Sequence, residues 1–211
     1  MFGRRKRQPV APDQNAVVDR ALCIAAVAML GAIASGLEDG TMDAGQAGQY
    51  LKESHRWLIR EQLTAALSIR ERALLAKAVT EWTERDALSA SWRSEALGVL
   101  LWALSAFDEI PPYDERFDRL PAFVPLLAPT ADFRGSASLR SAEDIGHARD
   151  LAEVWHGRAR TRQLGEGDDP HVESGELDAD VAAAAIERHY ALNWLCGYAS
   201  DWDSVPTETS S

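Results

Sequence analysis

The apolar residues of this chain recur mainly at helical spacing. Trp92, Ala96, Val99 and Ala103, for example, fall on one side of a helix and form part of a wide apolar stripe. No alternating apolar–polar run of useful length occurs, so strands are not predicted. The pattern predicts an all-α protein of about six helices, at residues 15–36, 43–67, 68–84, 90–107, 141–163 and 180–198. The second helix could also break near Glu61, and a break or tight turn is expected at residues 86–91.

A proline-rich connector separates the fourth predicted helix from the fifth. Pro111 and Pro112 end the fourth helix, and Pro121, Pro125 and Pro129 follow at intervals of four residues. A continuous helix cannot hold prolines at that density, because each one lacks a backbone N–H and clashes with the preceding turn. We therefore expect an extended connector that crosses the helical body and is held by its apolar side chains, which are Phe117, Leu120, Phe123, Val124, Leu126 and Leu127.

The domain organisation follows from these elements. The chain has 211 residues, which is enough for one domain with a substantial core. We expect a single compact helical bundle at residues 14–200. A flexible basic arm at 1–13 precedes it, and an acidic tail at 201–211 follows, partly docked through Trp202. The polar, glycine-containing stretch 165–177 is expected to be a loop.

The longest apolar segment allows two interpretations. Residues 21–37 carry no charge and follow a basic arm, as a signal or anchor segment would. However, the segment is shorter than the roughly 20 residues that a spanning helix needs, and alanines and glycines make it only modestly hydrophobic. Leu22, Met29, Ile33 and Leu37 recur near helical spacing, which favours a helix packed against protein. We expect a core helix and no membrane association, with an exported or anchored protein as the alternative.

The charge and the cysteine content limit the partners and the cellular compartment that we expect for this protein. The formal net charge is −11, and residues 4–7 form a short basic arm. An acidic body repels nucleic acid and anionic membranes, so we expect neither as a partner and favour another protein, a basic one by charge. The basic arm is expected to be a solvated terminus. Cys23 and Cys196 form no CxxC pair and are expected to be buried free thiols, which suits the cytoplasm. The oligomeric state does not follow from the sequence.

Polar residues within apolar helical stretches give the strongest candidate site. Glu95 is bounded by apolar residues, while Arg188 and His189 are adjacent on the last helix and Asn193 lies one turn further on. Buried polar groups need partners, so we predict that Glu95 pairs with Arg188 or His189 across a helix–helix contact. Three roles remain open: a buried network that sets helix register, a binding cleft lined by these four residues, and acid–base catalysis by Glu95 and His189.

Motifs for known chemistries are missing from the sequence. It contains no Gly-rich phosphate loop, no GxSxG elbow, no HExxH and no paired CxxC. Glu153 with His156, and Asp144 with His147, have Glu-x-x-His-type spacing, but both pairs lie on one helix and cannot face a single metal pair. We interpret these histidines as surface residues, and we predict no catalytic residues, no metal site and no cofactor.

Three stretches together resemble a known family. Residues 92–104 (WRSEALGVLLWAL), 139–145 (LRSAEDI) and 187–195 (ERHYALNWL, followed by DWDSV and TET) are similar to the bacterial domain-of-unknown-function family 4272. The resemblance spans roughly residues 15–209. It implies a compact, mainly helical, cytoplasmic protein, and it implies no activity.

The function therefore stays unknown from the sequence, with one interpretation preferred. We expect a non-enzymatic soluble helical protein that binds a macromolecular partner or a small ligand. The alternative is a hydrolase or metal-dependent enzyme that uses the cluster of Glu95 and His189. A homo-oligomeric assembly component is a third possibility.

Overall fold

The computed structural model describes residues 10–163 and 179–206, and the regular structure in these ranges is helical throughout. The all-α prediction is confirmed, with seven helices in the described ranges where about six were expected. Residues 1–9, the expected loop at 165–177 and residues 207–211 lie outside the described part of the chain. The helices are α1 (Gln14–Glu38), α2 (Ala44–Arg60), α3 (Ile69–Leu75), α4 (Glu84–Ala103), α5 (Ala131–Ser136), α6 (Ala142–Gln163) and α7 (Ala179–Leu195).

Helix α1 is a largely buried helix of the bundle. Sixteen of its 25 residues are buried, and it packs along α4 over most of its length. Gly31 permits the close approach, since a Cβ there would lie 2.4 Å from the amide nitrogen of Ser91. Within the described residues, α1 alone is long and apolar enough to cross a membrane, and 78% of its most apolar window is buried against the rest of the protein. In this structure α1 is a core helix.

Side-chain caps define where several helices begin. Asp43 with Gln46, Ser68 with Glu71, and Thr83 with Asp86 each form a capping box. In each box the first side chain accepts from a backbone N–H in the first turn, and the second side chain accepts from the N–H of the cap. The box at Ser68 was predicted and is present.

The predicted third and fourth helices have different bounds in the structure. Helix α3 ends at Leu75, and the backbone is extended at Ala78 and again at Trp82. The Thr83 capping box then starts α4 at Glu84, so the break predicted at residues 86–91 is wrong. Asp86 is instead the third residue of the new helix and accepts from the N–H of Thr83.

The connector between α4 and α5 runs from residue 104 to residue 130. Its regular structure is a single 3-10 turn, Leu120–Ala122, and the remainder is made of turns and irregular backbone. The aromatic ring of Phe107 packs against the rings of Phe117 and Phe123, at centroid distances of 5.9 and 4.4 Å. The sequence does not predict the short α5 that follows the connector.

The C-terminal segment returns to the helical body. Helix α7 packs between α4 and α6. After it, Trp202 lies in the 3-10 turn Trp202–Ser204 and is only 3% exposed. Its ring makes edge-to-face contacts with Tyr190 and Trp194, and the Arg20 guanidinium lies 5.1 Å from its centroid.

Candidate functional site

Glu95 and Arg188 form a fully buried ion pair between α4 and α7. Arg188 Nε and Nη2 each lie 2.8 Å from Glu95 Oε2, and the two side chains are 1% and 0% exposed. The contact joins two segments that are 93 residues apart in sequence. The predicted pairing of Glu95 across a helix–helix contact is therefore present, with Arg188 as its partner.

The same guanidinium also binds the connector. Arg188 Nη1 donates to the carbonyls of Pro111 and Pro112 at 2.7 and 3.1 Å, and Nη2 donates to the carbonyl of Glu115 at 2.6 Å. The remaining carboxylate oxygen, Glu95 Oε1, accepts from the Phe117 amide at 3.3 Å. The irregular backbone of the connector lacks the regular hydrogen bonds of a helix, and this ion pair supplies hydrogen-bond partners instead. The pair therefore fixes the path of the connector.

His189 faces a different helix from Arg188. Its Nδ1 lies 2.8 Å from Nδ1 of His156 on α6, and the two residues are 0% and 6% exposed. The interpretation of His156 as a surface residue is therefore wrong, because α7 covers it; His147 is exposed as expected. Burial, and then the nearby charges of His156 and Arg149, lower the pKa of His189 to about 4. Burial and the charge of Arg160 also lower the pKa of His156.

Asn193 faces the C-terminal segment and α6. Its Nδ2 donates to the carbonyl of Pro206 at 3.0 Å, and its Oδ1 accepts from Arg149 Nε at 3.0 Å. Arg188, His189 and Asn193 thus lie on adjoining turns of α7, but their side chains bind three different parts of the molecule, and Glu95 reaches only the first of them from α4. Each of the four residues is at most 2% exposed, so they do not line a cleft that a solute could enter.

An open space lies elsewhere, between α1, α4 and the connector. It is a largely apolar cavity of about 620 Å³. One wall is formed by apolar residues of α1, a second by α4 around Ser94 and Leu97, and the third by the connector. The connector residues of this wall are Phe117, Arg119, Leu120, Pro121, Val124 and Leu126. A volume of this size is typical of sites for small molecules.

A few polar groups line this otherwise apolar space. The hydroxyls of Tyr50 and Ser94 make no hydrogen bond to another described residue, whereas Thr41 Oγ1 donates to Asp39 at 2.6 Å. Arg119 carries the only charge among the described residues that line the cavity. Its backbone lies in the left-handed region, with φ 55° and ψ 22°, which is unfavourable for a residue with a Cβ.

The predicted polar cluster and the cavity are connected through Phe117. The Phe117 amide donates to Glu95, and its ring forms part of the cavity wall. That ring also fits against Gly98 of α4, where a Cβ would lie 2.2 Å from the ring atoms. Glu95 and Arg188 therefore do not line the cavity, but they hold the segment that does.

The sequence analysis missed the cavity. One available signal was the row of small residues on α1, which are Ala25, Ala28, Ala32 and Gly36. These residues recur every three or four positions and leave a shallow face on the helix. Such a row is equally typical of tight helix packing. The cavity therefore could not be predicted from these residues without knowing the path of the connector.

A second buried ion pair supports a smaller, more polar cavity of about 470 Å³. Arg20 Nη2 lies 2.5 Å from Glu71 Oε2, and Arg20 Nη1 donates to the carbonyl of Ala66 at 3.0 Å. Arg20 and Trp202 line this cavity, while Arg20 Nε, Glu71 Oε1 and Trp202 Nε1 are buried and without a hydrogen-bond partner. The pair joins α1 to the start of α3 beside the docked tail.

Metal ligands and cysteine thiols are two further groups that could carry chemistry. Over residues 10–163 and 179–206, no three His, Cys, Asp or Glu side chains are grouped as metal ligands. Both cysteines are free, and burial raises the pKa of the Cys23 thiol to about 12. Because only a thiolate is a good nucleophile, Cys23 is inert at neutral pH. Cys196 is only partly buried, which differs from the expected full burial.

Comparison with known proteins gives one match. The family model described as "Domain of unknown function (DUF4272)" matches residues 4–205. No curated protein and no solved structure matches the chain. Because the family model covers nearly the whole chain, this protein belongs to the DUF4272 family of domains of unknown function.

Proposed function

We propose that this chain is a non-enzymatic binding protein that holds one small, mainly apolar molecule in the cavity between α1, α4 and the connector. The observation that carries the proposal is the cavity itself, with about 620 Å³ of space inside mainly apolar walls. Binding sites for small molecules combine apolar walls with a few polar groups that orient the ligand. The hydroxyls of Tyr50 and Ser94 are available for that purpose.

The alternative of an enzyme using Glu95 and His189 has less support. Glu95 is bound to Arg188 and to the Phe117 amide, and His189 is bound to His156. A general acid or base must come within hydrogen-bonding distance of its substrate. Neither side chain offers an exposed atom for that contact, since they are 1% and 0% exposed. We assign both residues to the framework and place the protein in the cytoplasm, in keeping with its two free cysteines.

Titration with Nile red, an uncharged dye that fluoresces in apolar surroundings, tests the proposal. Wild-type protein is expected to bind one dye per chain. Ala32 lines the cavity yet is exposed, so Ala32→Phe fills the space without crowding the core, and we expect at least a tenfold loss of affinity.

The matched control is Ala73→Phe, at an exposed position of α3 away from the cavity. It adds the same side chain and should leave dye binding unchanged. Circular dichroism melting curves should show both variants folded. The proposal is overturned if the wild type does not bind the dye, or if the two variants bind it equally well.

A further inference from the structure

We propose that the ligand of the cavity is a free long-chain carboxylate, and that Arg119 selects its carboxylate group. This inference rests on the proposed function and names the chemical class of its ligand. Three observations lead to it: the length of the cavity, the chemistry of its walls, and the position and backbone conformation of Arg119.

The wall of the cavity extends along α1. Its lining residues on that helix run from Ala25 to Gly36, and at a helical rise of about 1.5 Å per residue this is a span of about 16 Å. An extended chain advances about 1.2 Å per bond, since a residue of three backbone bonds covers at most about 3.6 Å. A straight hydrocarbon of about 13 bonds therefore matches the length of the cavity.

The walls favour hydrocarbon over a polar molecule of the same length. Ala28, Ile33 and Leu97 are typical of the lining, and the described polar lining groups are hydroxyls apart from Arg119. A polar chain would lose its hydration along these walls without gaining hydrogen bonds, whereas each buried CH₂ group contributes about 0.8 kcal/mol.

Arg119 supplies the only charge among the described lining residues, and that charge is positive. Its side chain is 82% exposed, and its one ion pair is with Asp118, at 3.3 Å and equally open to solvent. The guanidinium can therefore exchange this weak surface contact for a ligand carboxylate at the cavity opening, in a charge-assisted hydrogen bond.

Four non-glycine residues among those described have a left-handed backbone, Gln62, Ser105, Arg119 and Leu127, and of these only Arg119 lines the cavity. The left-handed conformation of Arg119 costs roughly 1 kcal/mol or more for any residue with a Cβ. Glycine would adopt this conformation without that cost, yet the position holds an arginine. Strained conformations of this kind concentrate at ligand-binding positions. A cationic ligand is disfavoured by Arg119, and an uncharged one would leave the guanidinium without a role in binding.

The test compares two ligands and two variants by displacement of Nile red at submicellar concentrations. The ligands are dodecanoate and 1-dodecanol, which share their hydrocarbon chain. Arg119→Gln should weaken dodecanoate binding about three- to fivefold, which is the upper part of the range for an exposed ion pair, and should leave dodecanol binding unchanged. Arg85→Gln removes an exposed charge of α4 outside the cavity wall and should change neither ligand.

The outcomes separate this inference from the proposed function. If the dye binds but dodecanoate does not displace it, or if Arg119→Gln and Arg85→Gln bind dodecanoate equally, the carboxylate inference is wrong while the cavity remains a binding site. If dodecanoate binds wild type only when presented in phospholipid vesicles, the source is a membrane and the inference is also wrong. If the dye itself does not bind, the proposed function fails first.

Discussion

Arg188 satisfies three backbone carbonyls and a carboxylate at once, from a position with no exposed surface. Only a guanidinium offers enough donors in a fixed plane for this set of partners. The rings of Tyr113 and Phe117 lie against it, each with its centroid 4.9 Å from the guanidinium carbon. At this position, then, one side chain provides both charge balance and hydrogen bonds for irregular backbone.

Replacing Glu95 should reveal the energetic role of this pair. Glu95→Gln keeps the size of the side chain but leaves the Arg188 charge buried without a counter-ion, which should lower the free energy of unfolding by about 3 kcal/mol. Urea unfolding followed by circular dichroism measures this decrease in the free energy of unfolding. Lys77→Gln, which removes a partly exposed ion pair with Asp86, should cost less than about 1 kcal/mol. Equal losses in the two variants would contradict a structural role for Glu95.

The two buried histidines predict a pH dependence of stability. In the unfolded chain a histidine has a pKa of about 6.5, whereas the pKa of His189 in the folded protein is about 4. Between these two pH values the folded state therefore binds fewer protons than the unfolded state. Stability should therefore be constant above about pH 6.5 and fall as the pH drops toward 4. For His189 alone the loss approaches about 3 kcal/mol, at about 1.4 kcal/mol per unit of pKa.

Unfolding midpoints between pH 7.5 and 4.5 check this expectation. His189→Gln should flatten the profile over this range, whereas His147→Gln, at an exposed position of α6, should leave it as in the wild type. A profile that keeps its full slope in His189→Gln would show that other groups cause it.

The sequence was informative about some residues and not others. Glu95 and Arg188 were predictable because a charge inside an apolar helical stretch must find a partner. His156 was not, because its neighbours on α6 include charged residues, and only the position of α7 decides that it is covered. Sequence spacing defines the face of one helix, whereas burial depends on which helix packs there.

At the scale of elements, the capping boxes determine the helix bounds better than the apolar periodicity does. The periodicity continued through residues 68–84 and therefore suggested one helix. Thr83 and Asp86 form reciprocal hydrogen bonds of 3.1 Å that begin a new helix, and this signal has the same sequence form as the box at Ser68 that was recognised. The bounds of α1, α6 and α7 could be predicted to within three residues, whereas α2 ends at Arg60, at the alternative break near Glu61 and not at residue 67, and α5 was not predicted.

Removal of the cap at Thr83 should therefore destabilise α4. Thr83→Ala loses the acceptor for the Asp86 N–H and should cost about 1 kcal/mol, measured by urea unfolding. Thr80→Ala is the matched control, since Thr80 is exposed in the preceding 3-10 turn and does not cap a helix. If both threonines can be replaced at the same cost, the cap does not define this helix start.

For the whole molecule, the C-terminal segment completes the fold. Trp202 closes the side of the bundle where α1, α3 and α7 meet, and the Tyr190 hydroxyl donates to its backbone carbonyl. Asp203 Oδ2 also accepts from the Arg70 amide at 2.9 Å, which links the tail to the first turn of α3. Trp202 and Val205 thus belong to the core even though residues 201–206 have the composition of an acidic tail.

Substitution of this tryptophan should affect global stability. Trp202→Ala removes a ring that is 3% exposed and should cost about 3 to 5 kcal/mol, measured as a shift of the urea midpoint. Tyr198→Ala, which removes an aromatic ring that is 48% exposed, should cost much less. Comparable midpoints for the two variants would mean that the tail is not part of the cooperative unit.

The fold class could be predicted from the sequence, but the cavity could not. Helical periodicity is a local property, and it was sufficient for an all-α bundle with a proline-rich interruption. The cavity depends on how far the connector stands from α1, and that distance is set by contacts between Phe117, Glu95 and Arg188 from three remote segments. No local pattern encodes such a distance.

The hold of Arg188 on the connector has a consequence for how this protein tolerates insertions and deletions. Four backbone groups between Pro111 and Phe117 form hydrogen bonds with one fixed ion pair. The number of residues between these four groups is therefore constrained. Adding or deleting a single residue there would shift every later contact out of step. Length variation should therefore be tolerated in this connector only outside that seven-residue window.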